Sequence, residues 1–199
     1  RGWGDPSVEM TRSGSFVRPR SGAPSLSDVS QEEVLAPSVT SPLLALGSME
    51  VDRQRIESAM HDAVVTPDSY LNEIASHLIV AGGKRLRPVL AVAGAQVLGD
   101  SASHDVVRGG VACELVHLGS LYHDDVMDEA ETRRGVETVN AKWGNLQAIL
   151  AGDFLLSRAS EIAASLGTEV AGLLARTIGW LCEGQIAELR HTYDIGRTE

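Results

Sequence analysis

The chain has 199 residues, 43% hydrophobic and 22% charged, which suits one globular domain with an aliphatic core. A formal net charge of −10 excludes a general nucleic-acid-binding surface but leaves room for a local basic cleft. Its 2 cysteines, Cys113 and Cys182, both fall in apolar helical patterns, so buried, reduced thiols in a cytoplasmic protein are expected rather than a disulfide or a metal pair.

Residues 1–48 hold 5 of the 7 prolines and 10 serines without a sustained period, and read as a disordered tail with no signal-peptide core. From Met49 the texture becomes helical, so residues 49–199 form the folded part. A first helix runs through "MEVDRQRIESAMHDAVV", with Val51, Ile56, Met60 and Val64 as its apolar stripe. Asp68 is the expected N-cap of a second helix, which Gly82-Gly83 interrupts. Pro88 suits the first turn of a third. A long fourth helix spans 104–130, a fifth lies within 140–167, and a sixth within 168–194. No strand and no internal repeat is evident. The longest apolar run, residues 78–98, is broken by Lys84, Arg85 and Arg87 and is no membrane span. The fold class is all-α, a helical bundle.

On the fourth helix, Glu114, His117, Leu121, Asp124 and Asp128 recur at alternating spacings of 3 and 4 and share one stripe. Asp124 and Asp128 are one turn apart and can address one ion, with Asp125 on the flank. Mg²⁺ takes oxygen ligands and keeps several waters, so two carboxylates suit it best together with a phosphorylated ligand. A solvated helix end is the plain alternative for such acids. An EF-hand loop is excluded by Val126, Glu129 and Gly135 at its third, sixth and twelfth positions.

The basic groups flank this cluster. "AGGKRLRP" puts two glycines before Lys84 and Arg87, close enough to share a phosphate, yet it is not a P-loop, because Leu78 and Arg85 occupy its key positions. Arg133 and Arg134 follow the acids, and guanidinium forks suit phosphate oxygens. His117 can donate to a phosphate as well. Acids for a metal and bases for phosphate thus alternate around one helix end.

In this order, "GGKRLRP", "LVHLGSLYHDDVMDEAETRRG", "WGNLQAILAGDFLL" and "CEGQIAEL" resemble the trans-isoprenyl diphosphate synthases, or polyprenyl synthetases, over roughly residues 51–188. "DDVMD" matches that family's first aspartate-rich motif. The resemblance implies an all-α bundle of the isoprenoid synthase type and a Mg²⁺-dependent prenyl transfer. Asp124 and Asp128 would ligate Mg²⁺, and Asp125 would support them. Arg133 would contact an allylic diphosphate. Lys84, Arg87, His117 and Arg134 would hold isopentenyl diphosphate, and Gln185 would face the reaction centre. Glu188 stands where the family usually has Asp. Small residues at Gly119 and Ser120, before the acids, imply a long product. A homodimer is the implied assembly.

The family's second aspartate-rich motif is absent from these 199 residues. The expectation is therefore an N-terminal part of a synthase domain, incomplete at its C-terminus, with weak or no turnover alone and with exposed apolar faces. A non-catalytic diphosphate-binding or regulatory subunit is the main alternative. A terpene cyclase shares DDxxD, but it has no isopentenyl diphosphate for "GGKRLRP" to hold.

Overall fold

The computed structural model describes residues 49–99 and 102–191. The expected 1–48 tail lies outside the described residues. Seven helices and one small hairpin follow in chain order: α1 (Met49–Val64), α2 (Ser69–Val80), α3 (Leu86–Val97), α4 (His104–Met127), β1 (Thr132–Arg133), β2 (Val136–Glu137), α5 (Val139–Trp143), α6 (Asn145–Leu166) and α7 (Thr168–Arg190).

Local chemistry sets most boundaries. The Asp68 carboxylate accepts from the Tyr70 and Leu71 N–H groups at 2.9 and 3.2 Å, capping α2 as its sequence predicts. The Ser103 hydroxyl accepts from Val106 N–H at the start of α4. Pro88 is the third residue of α3, where its missing N–H has no helical partner to lose. The expected fifth helix is two: Gly144, at φ 94°, separates α5 from α6. The stripe of α1 is Met49, Asp52, Ile56, Met60 and Val64, whereas Val51 is 61% exposed. Asp52 tolerates burial because Arg55 and Gln96 donate to its two oxygens.

α4 is the central helix. Val107, Val111, Leu115, Leu118 and Tyr122 are buried along it, and α6, α3 and α1 pack around it. A helix apolar on several faces belongs in the interior. The Tyr122 hydroxyl donates to Ile74 O at 2.8 Å and ties α4 to α2. α7 packs on α6, with none of its described residues fully buried, and Trp180, Ile186 and Leu189 are more than half exposed. No helix among the described residues is long and apolar enough to cross a membrane. Both cysteines are unbonded, and both are exposed rather than buried, because they lie on helix faces turned to open clefts.

Candidate active site

Most of the predicted site residues lie on two stretches, the α2–α3 loop with the first turn of α3, and α4 with the hairpin that follows, whereas Gln185 lies on α7. In the hairpin, Thr132 pairs with Glu137 and Arg133 with Val136, leaving Arg134-Gly135 as a two-residue turn. Both turn residues have positive φ, 54° and 79°, the pattern of a type I′ turn. Glycine adopts this readily, and Arg134 does so at some cost. Strands of two residues are too short for any alternation to betray them, which is why the hairpin is not legible in the sequence.

The hairpin sends its arginines in different directions. Arg133 Nε donates to Asp125 Oδ1 at the end of α4. Arg134 Nη1 donates to the carbonyls of Leu78 and Gly82, at the end of α2 and in the loop beyond it. Asp125 is therefore 1% exposed and paired, not a peer of its two neighbours. Burial still pushes its carboxyl above the usual range, against the pull of Arg133. Its second oxygen, Oδ2, is buried without a hydrogen-bond partner.

Lys84, Arg87, His117 and Arg134 line one cleft of about 360 Å³, together with Gly82, Gly83, Glu114 and the buried Arg85 at its wall. A side chain at Gly83 would meet Arg134 Nη1 at 2.9 Å, so this glycine lets the guanidinium lie against the loop. Burial, followed by the charges of Arg87, Arg134 and Arg133, lowers the His117 ring to about 4. His117 is thus neutral at neutral pH. Because the unfolded ring takes a proton near 6.5, this histidine costs native stability progressively as pH falls from about 6.5 to about 4. An anion in the cleft offsets the arginine charges. The expected result is that His117 titrates near 4 in the free protein and clearly higher with inorganic pyrophosphate, followed by ring-proton NMR. An unchanged titration would show that no anion settles among these groups.

Asp124 and Gln185 line a second cleft of about 500 Å³ between α4, α6 and α7, with His123, Ile149 and Leu181. Burial, then the nearby Asp128 charge, raises the Asp124 carboxyl above its ordinary value. Asp128 caps α4 and is exposed. Among the described residues no cluster of three or more His, Cys, Asp or Glu side chains forms a closed metal cage. Two carboxylates one turn apart, one of them raised partly by the other, are a donor set that fits Mg²⁺ shared with a phosphate.

An apolar groove of about 470 Å³ adjoins both clefts, sharing Arg87 and His117 with the first and Ser120 and Leu181 with the second. The two small residues before the acids differ in place. Ser120 lines the groove, whereas Gly119 packs on α6, where an added Cβ would meet Gly152 O at 3.0 Å.

Sequence reasoning missed Arg85. It sits between Lys84 and Arg87 in the chain, but its side chain is buried in the body with Glu57 and Glu114. In a loop no periodicity separates one basic residue from the next.

The sequence model of the polyprenyl synthetase family matches residues 68–198. Nonaprenyl diphosphate synthase of Mycobacterium tuberculosis is 44% identical over 138 residues, covering 69% of this chain and 41% of the relative. Heptaprenyl diphosphate synthase component 2 of Geobacillus stearothermophilus is 41% identical over 143 residues, covering 71% and 44%. Among solved structures, a polyprenyl synthase from Caulobacter crescentus, complexed with calcium and isoprenyl diphosphate, aligns with TM-score 0.73 and 32% identity, over 79% of this chain and 47% of that one. The chain spans less than half the length of these relatives. With its motifs, its helical-bundle architecture and this match in accord, the chain belongs to the polyprenyl synthetase family.

Proposed function

We propose that this chain is the N-terminal part of a Mg²⁺-dependent prenyltransferase that joins isopentenyl diphosphate to an allylic diphosphate, making a long polyprenyl diphosphate. One observation carries the reading: a cleft lined by Lys84, Arg87, His117 and Arg134 and a cleft holding Asp124 and Gln185 adjoin a single apolar groove. Such an arrangement suits two diphosphates with a hydrocarbon between them.

Lys84, Arg87, His117 and Arg134 hold isopentenyl diphosphate. Asp124 and Asp128 hold Mg²⁺ at the allylic diphosphate. Arg133, with Nε engaged by Asp125, offers that diphosphate its two Nη groups. Gln185 faces the reaction centre. Bound Mg²⁺ supplies neutralisation of the leaving diphosphate's charge. The allylic C–O bond breaks with its electron pair leaving on the diphosphate. The double bond of isopentenyl diphosphate attacks the allylic carbon, and loss of a proton from the new cation completes one five-carbon extension. The arginines stabilise charge as it develops, and the apolar groove keeps water from the cation. Relatives named for nonaprenyl and heptaprenyl products support a long product, as does the small Ser120 in the groove. Two unbonded cysteines suit a cytoplasmic setting, and a homodimer is the proposed assembly.

A second reading, a non-catalytic diphosphate-binding subunit of a heteromeric synthase, has weak support from the relative named as a component. Calorimetry with isopentenyl diphosphate, and with Mg²⁺ plus an allylic diphosphate, paired with an elongation assay, tests both. The expected result is saturable binding of both diphosphates with weak or no elongation by these 199 residues alone. Absence of diphosphate binding would remove both readings. Robust elongation would remove the subunit reading and the expectation of weak turnover.

A further inference from the structure

Arg85 belongs to the basic run of the loop before α3, yet its side chain does not join Lys84 and Arg87 at the surface. The residue is 2% exposed, and its backbone takes φ 47°. The left-handed region is rarely chosen by a non-glycine residue, so the contacts of the side chain must hold it there. Nε reaches Glu57 Oε1 on α1 at 2.8 Å, and Nη2 reaches Glu57 Oε2 at 3.1 Å. Nη2 also donates to Ile79 O, near the end of α2, at 2.8 Å. Nη1 lies 3.7 Å from Glu114 Oε1 on α4. One guanidinium thereby pins the loop to three helices.

Glu114 is 2% exposed, and its other oxygen lies 3.8 Å from Arg87 Nη1. A buried carboxylate at the wall of an anion cleft repels the anion directly. Its place there makes sense as a counterion shared by Arg85 and Arg87, which orients the second by way of the first. On the loop side, Gly83 lies between the Arg85 and Arg134 guanidiniums, with an added Cβ 3.2 Å from one and 2.9 Å from the other. Four cationic side chains, those of Lys84, Arg85, Arg87 and Arg134, thus gather at one loop, and only Arg85 is turned fully inward.

We propose that Arg85 is a positioning residue: clamped by Glu57 and steadied by Glu114, it fixes residues 82–87 so that Lys84 and Arg87 meet a diphosphate. The inference rests on the proposed function for the identity of the anion. The clamp itself is a feature of the loop.

Glu57→Gln on the 199-residue chain decides the matter by sign. Glu57 is partly exposed and does not line the cleft. Removing its negative charge should, by direct electrostatics, leave pyrophosphate binding unchanged or tighter. Loss of the clamp should weaken it about tenfold, the usual scale for a residue that orients a ligand-binding group. Arg85→Lys keeps the charge and loses the fork, and should weaken binding similarly. The double variant should be no worse than either single one, since both break one clamp. Inorganic pyrophosphate titrated by calorimetry gives the affinities, and unchanged thermal midpoints separate positioning from unfolding. Unchanged or tighter binding in Glu57→Gln, or losses that add in the double variant, would overturn the proposal. Amide exchange across 82–87 gives a reading without ligand: it should quicken in Glu57→Gln. If the parent chain binds no pyrophosphate, the proposed function falls. Quickened exchange would then still uphold the clamp, and unchanged exchange would overturn it.

Discussion

Alanine in place of Gly110 is expected to destabilise the protein by about 2 kcal/mol, lowering Tm by about 4–8 °C. The sign is the informative part. Gly110 lies inside α4, where helix propensity alone favours alanine by about 1 kcal/mol. At this position, however, the new Cβ would stand 2.6 Å from Pro88 Cα and 3.3 Å from Ala91 Cβ. A backbone atom cannot swing aside, so α3 as a whole must move. The neighbouring Gly109 is the control. Its Cβ would meet only Leu166 Cδ1, at an ordinary 3.7 Å, so Gly109→Ala should gain about 0.5–1 kcal/mol. Thermal melts of the two variants against the parent give the test. Equal signs at 109 and 110 would show that α3 does not rest on α4 as closely as described. Because α3 carries Arg87 and directly follows the loop that holds Lys84, Gly110→Ala should weaken pyrophosphate binding as well.

Asp124→Asn should act on binding and stability in opposite senses. Under the proposed function it removes a carboxylate that holds Mg²⁺, and Mg²⁺-dependent affinity for pyrophosphate should fall by about 100-fold. The same change removes a charge that the folded state holds reluctantly. Burial and the neighbouring Asp128 raise the Asp124 carboxyl in the native protein, so the native state keeps this proton more tightly than the unfolded chain. Ionising the group therefore costs native stability, and the cost grows as pH rises through the carboxylate range and persists at neutral pH. Without metal, Asn at this position should raise Tm by about 1–3 °C at pH 7, an effect that vanishes in acid. Calorimetric titration and melts at two pH values measure both halves. A variant that keeps its affinity, or that melts lower than the parent at neutral pH, would refute the assignment.

Much of the fold is legible because its signals are local. Asp68 before an apolar helix, Pro88 in a first turn and the 3-and-4 spacing from Glu114 to Asp128 each announce themselves within a few residues. The same holds for the acids and bases that flank the end of α4. The illegible parts depend on distant partners or on very short elements. Val51 and Met49 compete for one stripe, and only the packing of α1 selects Met49. The hairpin has too few residues to show a period, and its turn is Arg134-Gly135 rather than the more telling Asn-Gly. The inward turn of Arg85 depends on Glu57, 28 positions earlier in the chain, and nothing in "GGKRLRP" distinguishes it from Lys84 or Arg87. Asp125 likewise reads as an equal of Asp124 until Arg133 is seen to claim it.

The Arg134-Gly135 turn has a consequence for how the protein can change over evolution. Two successive arginines are aimed at different anchors, one at the acid end of α4 and the other at carbonyls beyond α2, by a turn that is two residues long. A one-residue insertion in the turn would lengthen it and carry Arg134 off the Leu78 and Gly82 carbonyls, while Arg133 stays in the ladder beside Asp125. Under the proposed function the hairpin thus acts as a gauge block between the two diphosphates. The groove can change without disturbing this segment, whereas under the proposed function a change in the length of the turn, like loss of either arginine, would disturb diphosphate binding.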